Sequence, residues 1–309
     1  MTPFKRILVD IDATASAHPA LDRGLRLARS AGATITLVDV MIIQPHERRH
    51  LPEGVEVRMV NERRLRLNRV AAAVGDVPIE PKLLIGRPAT VLIEEVLRSN
   101  IDLLLRSHAR DMTAPDPPPF GAVDMELLRK CPCPVLLVRH GTAAPQPRIA
   151  AAVNANTEVP DEEALNRKIL DVTLLMASYA GAESATVLHA WAPFAEYTVR
   201  SYGTAEQFAA YVEDTERRAR SALTRLVKPF EDRETTLTPM LRRGDAAAVI
   251  PPFVVAEGID LVVMGSVARA GIAGMLIGNT AERLLRRLPS SVLVVKPDRF
   301  ESPVTLGAS

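Results

Sequence analysis

Residues 6–12 read "RILVDID" and residues 148–154 read "RIAAAVN". Further along, "NIDLLLRSH" (100–108) is echoed by "GIDLVVMGS" (258–266), and "CPVLLVRH" (133–140) by "SSVLVVKP" (290–297). Order and spacing hold through both halves, so the chain is a duplication of one unit, and whatever it folds into it must fold into twice. A length of 309 residues fits two such domains of ~150 residues each. The expected boundaries are 1–140 and 148–298. Between them "GTAAPQP" (141–147) is a linker by its prolines and small residues, and 299–309 is a flexible tail without periodicity.

Each half alternates short apolar runs with helical patterns. "RILVDI", "ATITLVDVMII", "IEPKLLIG", "IDLLLRS" and "PVLLVR" read as strands in the first half. "ATVLHAW", "LTPMLRRG", "IDLVVMGS" and "SVLVVKP" read as strands in the second. Nearly continuous Val, Ile and Leu is the signature of strands buried on both faces of a parallel sheet. The expected fold class is therefore α/β: two tandem, doubly wound domains, each a five-stranded parallel sheet. Val91, Glu95 and Arg98 fall at helical spacing on a flanking helix, whose Leu92, Val96 and Leu97 form the expected inner face. The arginines of the two long helices (Arg63, Arg64, Arg66; Arg217, Arg218, Arg220) read as solvated faces.

Formal net charge is +1, which offers no electrostatic reason to invoke nucleic acid. No stretch of 18 apolar residues predicts a membrane span, and the N-terminus lacks a signal-peptide core. Two cysteines, Cys131 and Cys133, are too few for a disulfide framework and read as buried structural residues, with a reducing cytoplasm as the expected location. One C-x-C cannot supply four zinc ligands. His18, His108, His140 and His189 are scattered, and neither a G-x-S-x-G elbow nor a paired-carboxylate set provides catalytic residues.

A sharper metal signal is "HERRH" (46–50), the H-E-x-x-H pattern in which two histidines one helical turn apart share zinc. Pro52 biases Leu51 away from helix, and the second half has no counterpart, so a polar crossover loop is expected.

The remaining signal lies after the fourth strand of the second half, "MGSVARAGIAGMLIGNTAERLLRR" (264–287). Gly265, Gly271, Gly274 and Gly278 punctuate a loop that opens into a helix at Asn279 or Thr280. Free N–H groups at a helix start, with Asn and Thr beside them, favour an anion. This loop, with "LRKCPCPVLLV" and "IGNTAERLLRR", resembles the universal stress protein family, and the resemblance runs through both halves in the manner of tandem members. It implies the adenine nucleotide alpha hydrolase-like fold, two domains packed as a pseudo-dimer through their fifth strands, and homodimers as a further option.

Nucleotide-binding members carry G-x2-G-x9-G-[S/T] at this loop. Gly265 and Gly278 match, Ala268 replaces the second glycine, and Asn279 followed by Thr280 stands at the final position. The Asp that faces nucleotide in such relatives aligns with Asn154 in the second half and Asp10 in the first. The resemblance thus implies an ATP or AMP site at Asn154, Met264, Gly265, Ser266, Gly278, Asn279 and Thr280, in a non-enzymatic stress-response protein. The alternatives are a weak ATP hydrolase and a protein holding an apolar ligand against Ile272, Met275, Leu276 and Ile277. In the first half Ser107 replaces the first glycine, and Pro115, Pro117, Pro118 and Pro119 have no N–H to offer a phosphate, so no conventional site is expected there.

Overall fold

The computed structural model describes residues 4–108, 120–139, 146–266 and 277–306. These cluster into two compact units: residues 4–139 with 299–306, and residues 146–266 with 277–298. Gly271, Gly274, Ala268, Ile272, Met275, Leu276, His140 and the four prolines of 115–119 lie outside the described residues, as does most of the linker.

The first unit contains β1 (Arg6–Ile11), α1 (Pro19–Ala31), β2 (Thr34–Met41), α2 (Pro45–Arg48), α3 (Val55–Ala72), β3 (Ile79–Ile85), α4 (Pro88–Arg98), β4 (Leu103–His108), α5 (Ala122–Lys130) and β5 (Val135–Arg139). The second contains β6 (Ile149–Val153), α6 (Pro160–Ala180), β7 (Ser184–Trp191), α7 (Glu196–Tyr202), α8 (Ala205–Val227), β8 (Thr236–Arg243), α9 (Ala246–Ala256), β9 (Leu261–Gly265), α10 (Asn279–Leu285) and β10 (Ser291–Val295). Strand order is β3-β2-β1-β4-β5 in the first and β8-β7-β6-β9-β10 in the second, all parallel, as expected. Among the described residues no helix is long and apolar enough to cross a membrane.

The duplication is visible in how each element is stopped and tied. Helices α1 and α6 both begin with proline at the first turn (Pro19, Pro160) and end at a left-handed glycine, Gly32 (φ +60) and Gly181 (φ +64). Proline costs nothing where no N–H partner exists, and glycine alone enters the left-handed region freely. The repeated Ile-Asp of the fourth strands has a shared task. Asp102 accepts the Lys5 N–H at 2.7 Å, and Asp260 accepts the Arg148 N–H at 2.8 Å, so each anchors the first strand of its own half. Proline also repeats on β3 (Pro81) and β8 (Pro239). These strands are the outer members of their order, where a missing N–H is tolerated.

Two expectations need correction. The inner face of α4 takes Glu95 in place of the expected Leu97, which is only half-buried: Glu95 is 2% exposed, because Lys82 from β3 reaches it at 3.0 Å and Ser99 and Arg98 complete its partners. Arg63 is not on a solvated face either; it turns inward to Asp39 and Asp12. The second long helix follows expectation, with Arg217, Arg218 and Arg220 bridged to Asp214 and Glu216 along its exposed side.

Candidate functional site

In an open α/β sheet the crevice for a ligand lies beyond the carboxyl ends of the strands, where strand order reverses. Here those points fall between β1 and β4 and between β6 and β9. The register aligns them residue by residue. Asp10 lies beside Arg106, and Ala152 beside Met264. Asp39 stands next to Ile11, and His189 next to Val153.

This register overturns the expected pairing of Asn154 with Asp10. Asp10 corresponds to Ala152, and Asn154, two residues later, corresponds to Asp12. The repeat of "RILVDID" (6–12) in "RIAAAVN" (148–154) already pairs them this way, and the neighbouring strands agree.

The first-half crevice is filled with its own ions. The Arg106 guanidinium bonds Asp10 on one side and, through Nε at 2.9 Å, the Asp124 carboxylate on the other. Asp124 also accepts the Gly121 N–H at 2.9 Å, which ties the start of α5 to the triad. Beside it, Arg63 of α3 bridges buried Asp39 and exposed Asp12. Burial raises the Asp10 pKa to about 6 in spite of Arg106, with Asp39 and Asp124 adding repulsion. Among the described residues four carboxylates stand against two guanidinium groups, a poor host for a phosphate. Only the unusual Arg in the apolar run "IDLLLRSH" hinted at this in the sequence.

The second half is different at the same places. The Asp10–Arg106–Asp124 triad becomes Ala152, Met264 and Ala281, since Gly121 and Gly278 are the corresponding N-caps of α5 and α10. Met264 is buried beside Ala152. Gly265 closes β9, and a Cβ there would sit 2.6 Å from Leu165 Cδ2 and 3.2 Å from Ile169 Cδ1. A side chain at this position would therefore have to displace Leu165 of α6. Ser266 follows; its N–H donates to Val295 O at 3.1 Å, and it is only 5% exposed. Its hydroxyl finds no hydrogen-bond partner among the described residues, an arrangement that native interiors rarely leave unexplained.

Asn154 stands exposed on the rim. The side chain of buried Asn166 clasps its backbone from both sides, accepting Asn154 N–H at 3.2 Å and donating to its carbonyl at 2.7 Å. The Asn154 amide itself donates to Glu162 at 3.2 Å. Gly278 is the N-cap of α10, a seven-residue helix, and Asn279 and Thr280 are exposed in its first turn. Where Asp39 meets Arg63 in the first half, His189 is buried, its Nδ1 3.2 Å from the Val153 carbonyl. A carbonyl only accepts, so Nδ1 carries the proton. Burial lowers the His189 pKa, and the ring is neutral. Sequence reading passed over His189 because a lone histidine in an apolar strand carries no pattern.

The H-E-x-x-H segment does not form the helix that shared zinc ligation needs. α2 is a single turn ending at Arg48, which pairs with Glu56 at 2.7 Å, and His50 lies beyond it. Among the described residues no group of three His, Cys, Asp or Glu side chains is placed to hold a metal.

Comparison with known proteins bears on both halves. The sequence profile of the universal stress protein family matches residues 3–139 and again 163–296. Universal stress protein E of Escherichia coli K12 is 28% identical over 319 residues, covering 99% of this chain and 98% of its own. The Salmonella typhi protein of the same name is 28% identical over 320 residues, covering 99% and 98%. Among solved structures, a functionally unknown protein of Pseudomonas aeruginosa PAO1 has a TM-score of 0.71 at 24% identity, covering 96% of this chain and 94% of that one. A universal stress protein of Archaeoglobus fulgidus has a TM-score of 0.61 at 15% identity, covering 94% and 98%. The structural likenesses bear on fold alone.

Proposed function

Because the chain belongs to the universal stress protein family, with two tandem domains, we propose that it is a non-enzymatic, cytoplasmic stress-response protein binding one adenine nucleotide, in its second half. The observation that carries this reading is the contrast between the two crevices. Ala152, Met264 and Ala281 put uncharged side chains where the first half holds Asp10, Arg106 and Asp124, and the buried Ser266 hydroxyl, two residues after Met264, lacks a partner among the described residues.

In this reading Met264 and the adjoining strand backbone hold the base. Asn154 faces the ribose from the rim, and Ser266, Gly278, Asn279 and Thr280 meet ribose and phosphate. Gly265 contributes indirectly, by letting α6 close on β9. The proposal includes no catalytic residue, because among the described residues no metal-holding group flanks the loop.

The same apolar trio also suits a carbon-rich ligand. Equilibrium dialysis with ATP, ADP and AMP separates the two readings. One nucleotide bound per chain, lost in Gly278→Val, supports the first; no binding of any of the three, with a lipid recovered by solvent extraction of the purified protein, supports the second and sinks the first.

A further inference from the structure

Cys131 and Cys133 lie in the turn that joins α5 to β5, at the opposite end of α5 from the Asp124 triad. Cys131 caps α5, its N–H bonding the Leu127 carbonyl at 2.9 Å. Beyond Cys133, the Pro134 carbonyl accepts the Leu104 N–H at 3.0 Å, which fixes the entry to β5 against β4. Both thiols are free and buried, and their sulfurs are 3.5 Å apart. A disulfide needs about 2.0 Å, so each sulfur has to move by less than an ångström. The intervening Pro132 has a fixed φ and holds the turn in place.

The second half supplies an internal control. The corresponding turn reads Leu288-Pro289-Ser290, with Leu288 buried at 1% and Ser290 at 6% exposure. The same turn thus folds without sulfur, and the paired thiols are not a requirement of the fold.

We propose that Cys131 and Cys133 form a reversible dithiol–disulfide couple, oxidised by hydroperoxide, that staples the α5–β5 turn of the first half alone. One sulfur attacks the peroxide oxygen, forming a sulfenic acid and releasing water. The other attacks that sulfur, forming the S–S bond and releasing a second water. The two thiols lose two electrons and two protons, which the peroxide takes up. Cys133 is the less buried residue, at 7% exposure against 0% for Cys131, and is assigned the first attack. Its hydrogen bond with Cys131, and then burial, push its pKa well above the ordinary cysteine value, so attack at neutral pH is slow. The couple answers sustained oxidant rather than a brief pulse. A three-residue loop removes little unfolded-state entropy, so the expected consequence is local.

The test uses the full-length reduced protein, incubated with hydrogen peroxide and then analysed by intact mass and by thiol alkylation in urea. The expected result is loss of the mass of two hydrogens and of both alkylatable thiols, restored by dithiothreitol. Amide exchange across Ala122–Pro134 is expected to slow several-fold in the oxidised form. The double variant Cys131→Leu/Cys133→Ser, which copies the second half, should fold and show none of this. Persistence of both thiols in the folded chain, while the urea-unfolded chain closes its disulfide under the same oxidant, overturns the proposal. So does oxygen addition at single sulfurs, an intermolecular dimer, or unchanged amide exchange.

Discussion

Asp10 shows how one side chain separates two otherwise duplicated crevices. Its carboxyl is buried deeply enough that the loss of hydration outweighs the attraction of Arg106, and its pKa rises from 3.8 to about 6. A carboxyl with a raised folded-state pKa binds its proton more tightly folded than unfolded. Between pH ~4 and ~6 the folded chain therefore holds more protons, and this group's contribution to stability falls as pH rises through that window. The full shift is worth on the order of 3 kcal/mol. Asp10→Asn removes the ionisation while Arg106 keeps Asp124. The variant should match wild type in urea unfolding near pH ~3.5, below the unfolded pKa, and exceed it by about 1–3 kcal/mol at pH 7.5. Parallel pH profiles for the two proteins would rule this account out. Such a residue is legible in a sequence only as an acid interrupting an apolar run. The run itself does not say that Arg106 answers it.

At the scale of elements, the Val-, Ile- and Leu-rich strands were legible because strands buried on both faces have little choice of side chain, whereas β6, with three alanines in IAAAV, showed only through its place in the repeat. Side chains reaching from one element to another were not legible. Periodicity puts Glu95 beside the inner face of α4, but Lys82 arrives from β3, and Arg63 turns from α3 to Asp39. Gly265 is a further case. A glycine in a ligand loop invites a phosphate role, and its clearest physical role is to admit Leu165 of α6. Gly265→Ala should therefore destabilise the second half by about 1–3 kcal/mol through overpacking. Leu165→Ala in the same chain should recover part of that loss, since the clash is with the Leu165 branch at 2.6 Å. A double-mutant cycle in urea measures the coupling; additive losses would show that the strain lies elsewhere.

Across the whole chain, duplication gave each half the same strand order and the same anchoring aspartates, and left the charge at the switch points free to diverge. The first half holds an internal cation between two carboxylates. The second holds alanine, methionine and alanine at those positions, with the Ser266 hydroxyl beside them. If this divergence decides which half takes a nucleotide, the decision is portable. Ala152→Asp, Met264→Arg and Ala281→Asp together transplant the first-half triad into the second. The introduced Arg is then paired with carboxylates on both sides, as Arg106 is, whereas Met264→Arg alone would bury an unpaired charge at a cost of several kcal/mol. The triple variant should keep its circular dichroism and its cooperative unfolding while losing nucleotide binding at least tenfold in equilibrium dialysis. A folded triple variant that binds ATP as wild type does would mean that the crevice between β6 and β9 is not where the nucleotide sits. The reverse transplant, Asp10→Ala with Arg106→Met and Asp124→Ala, should not create a second site, because the prolines at 115 and 117–119 have no N–H to donate to phosphate. One nucleotide per chain is then expected from both the wild type and this reverse variant, and none from the triple variant.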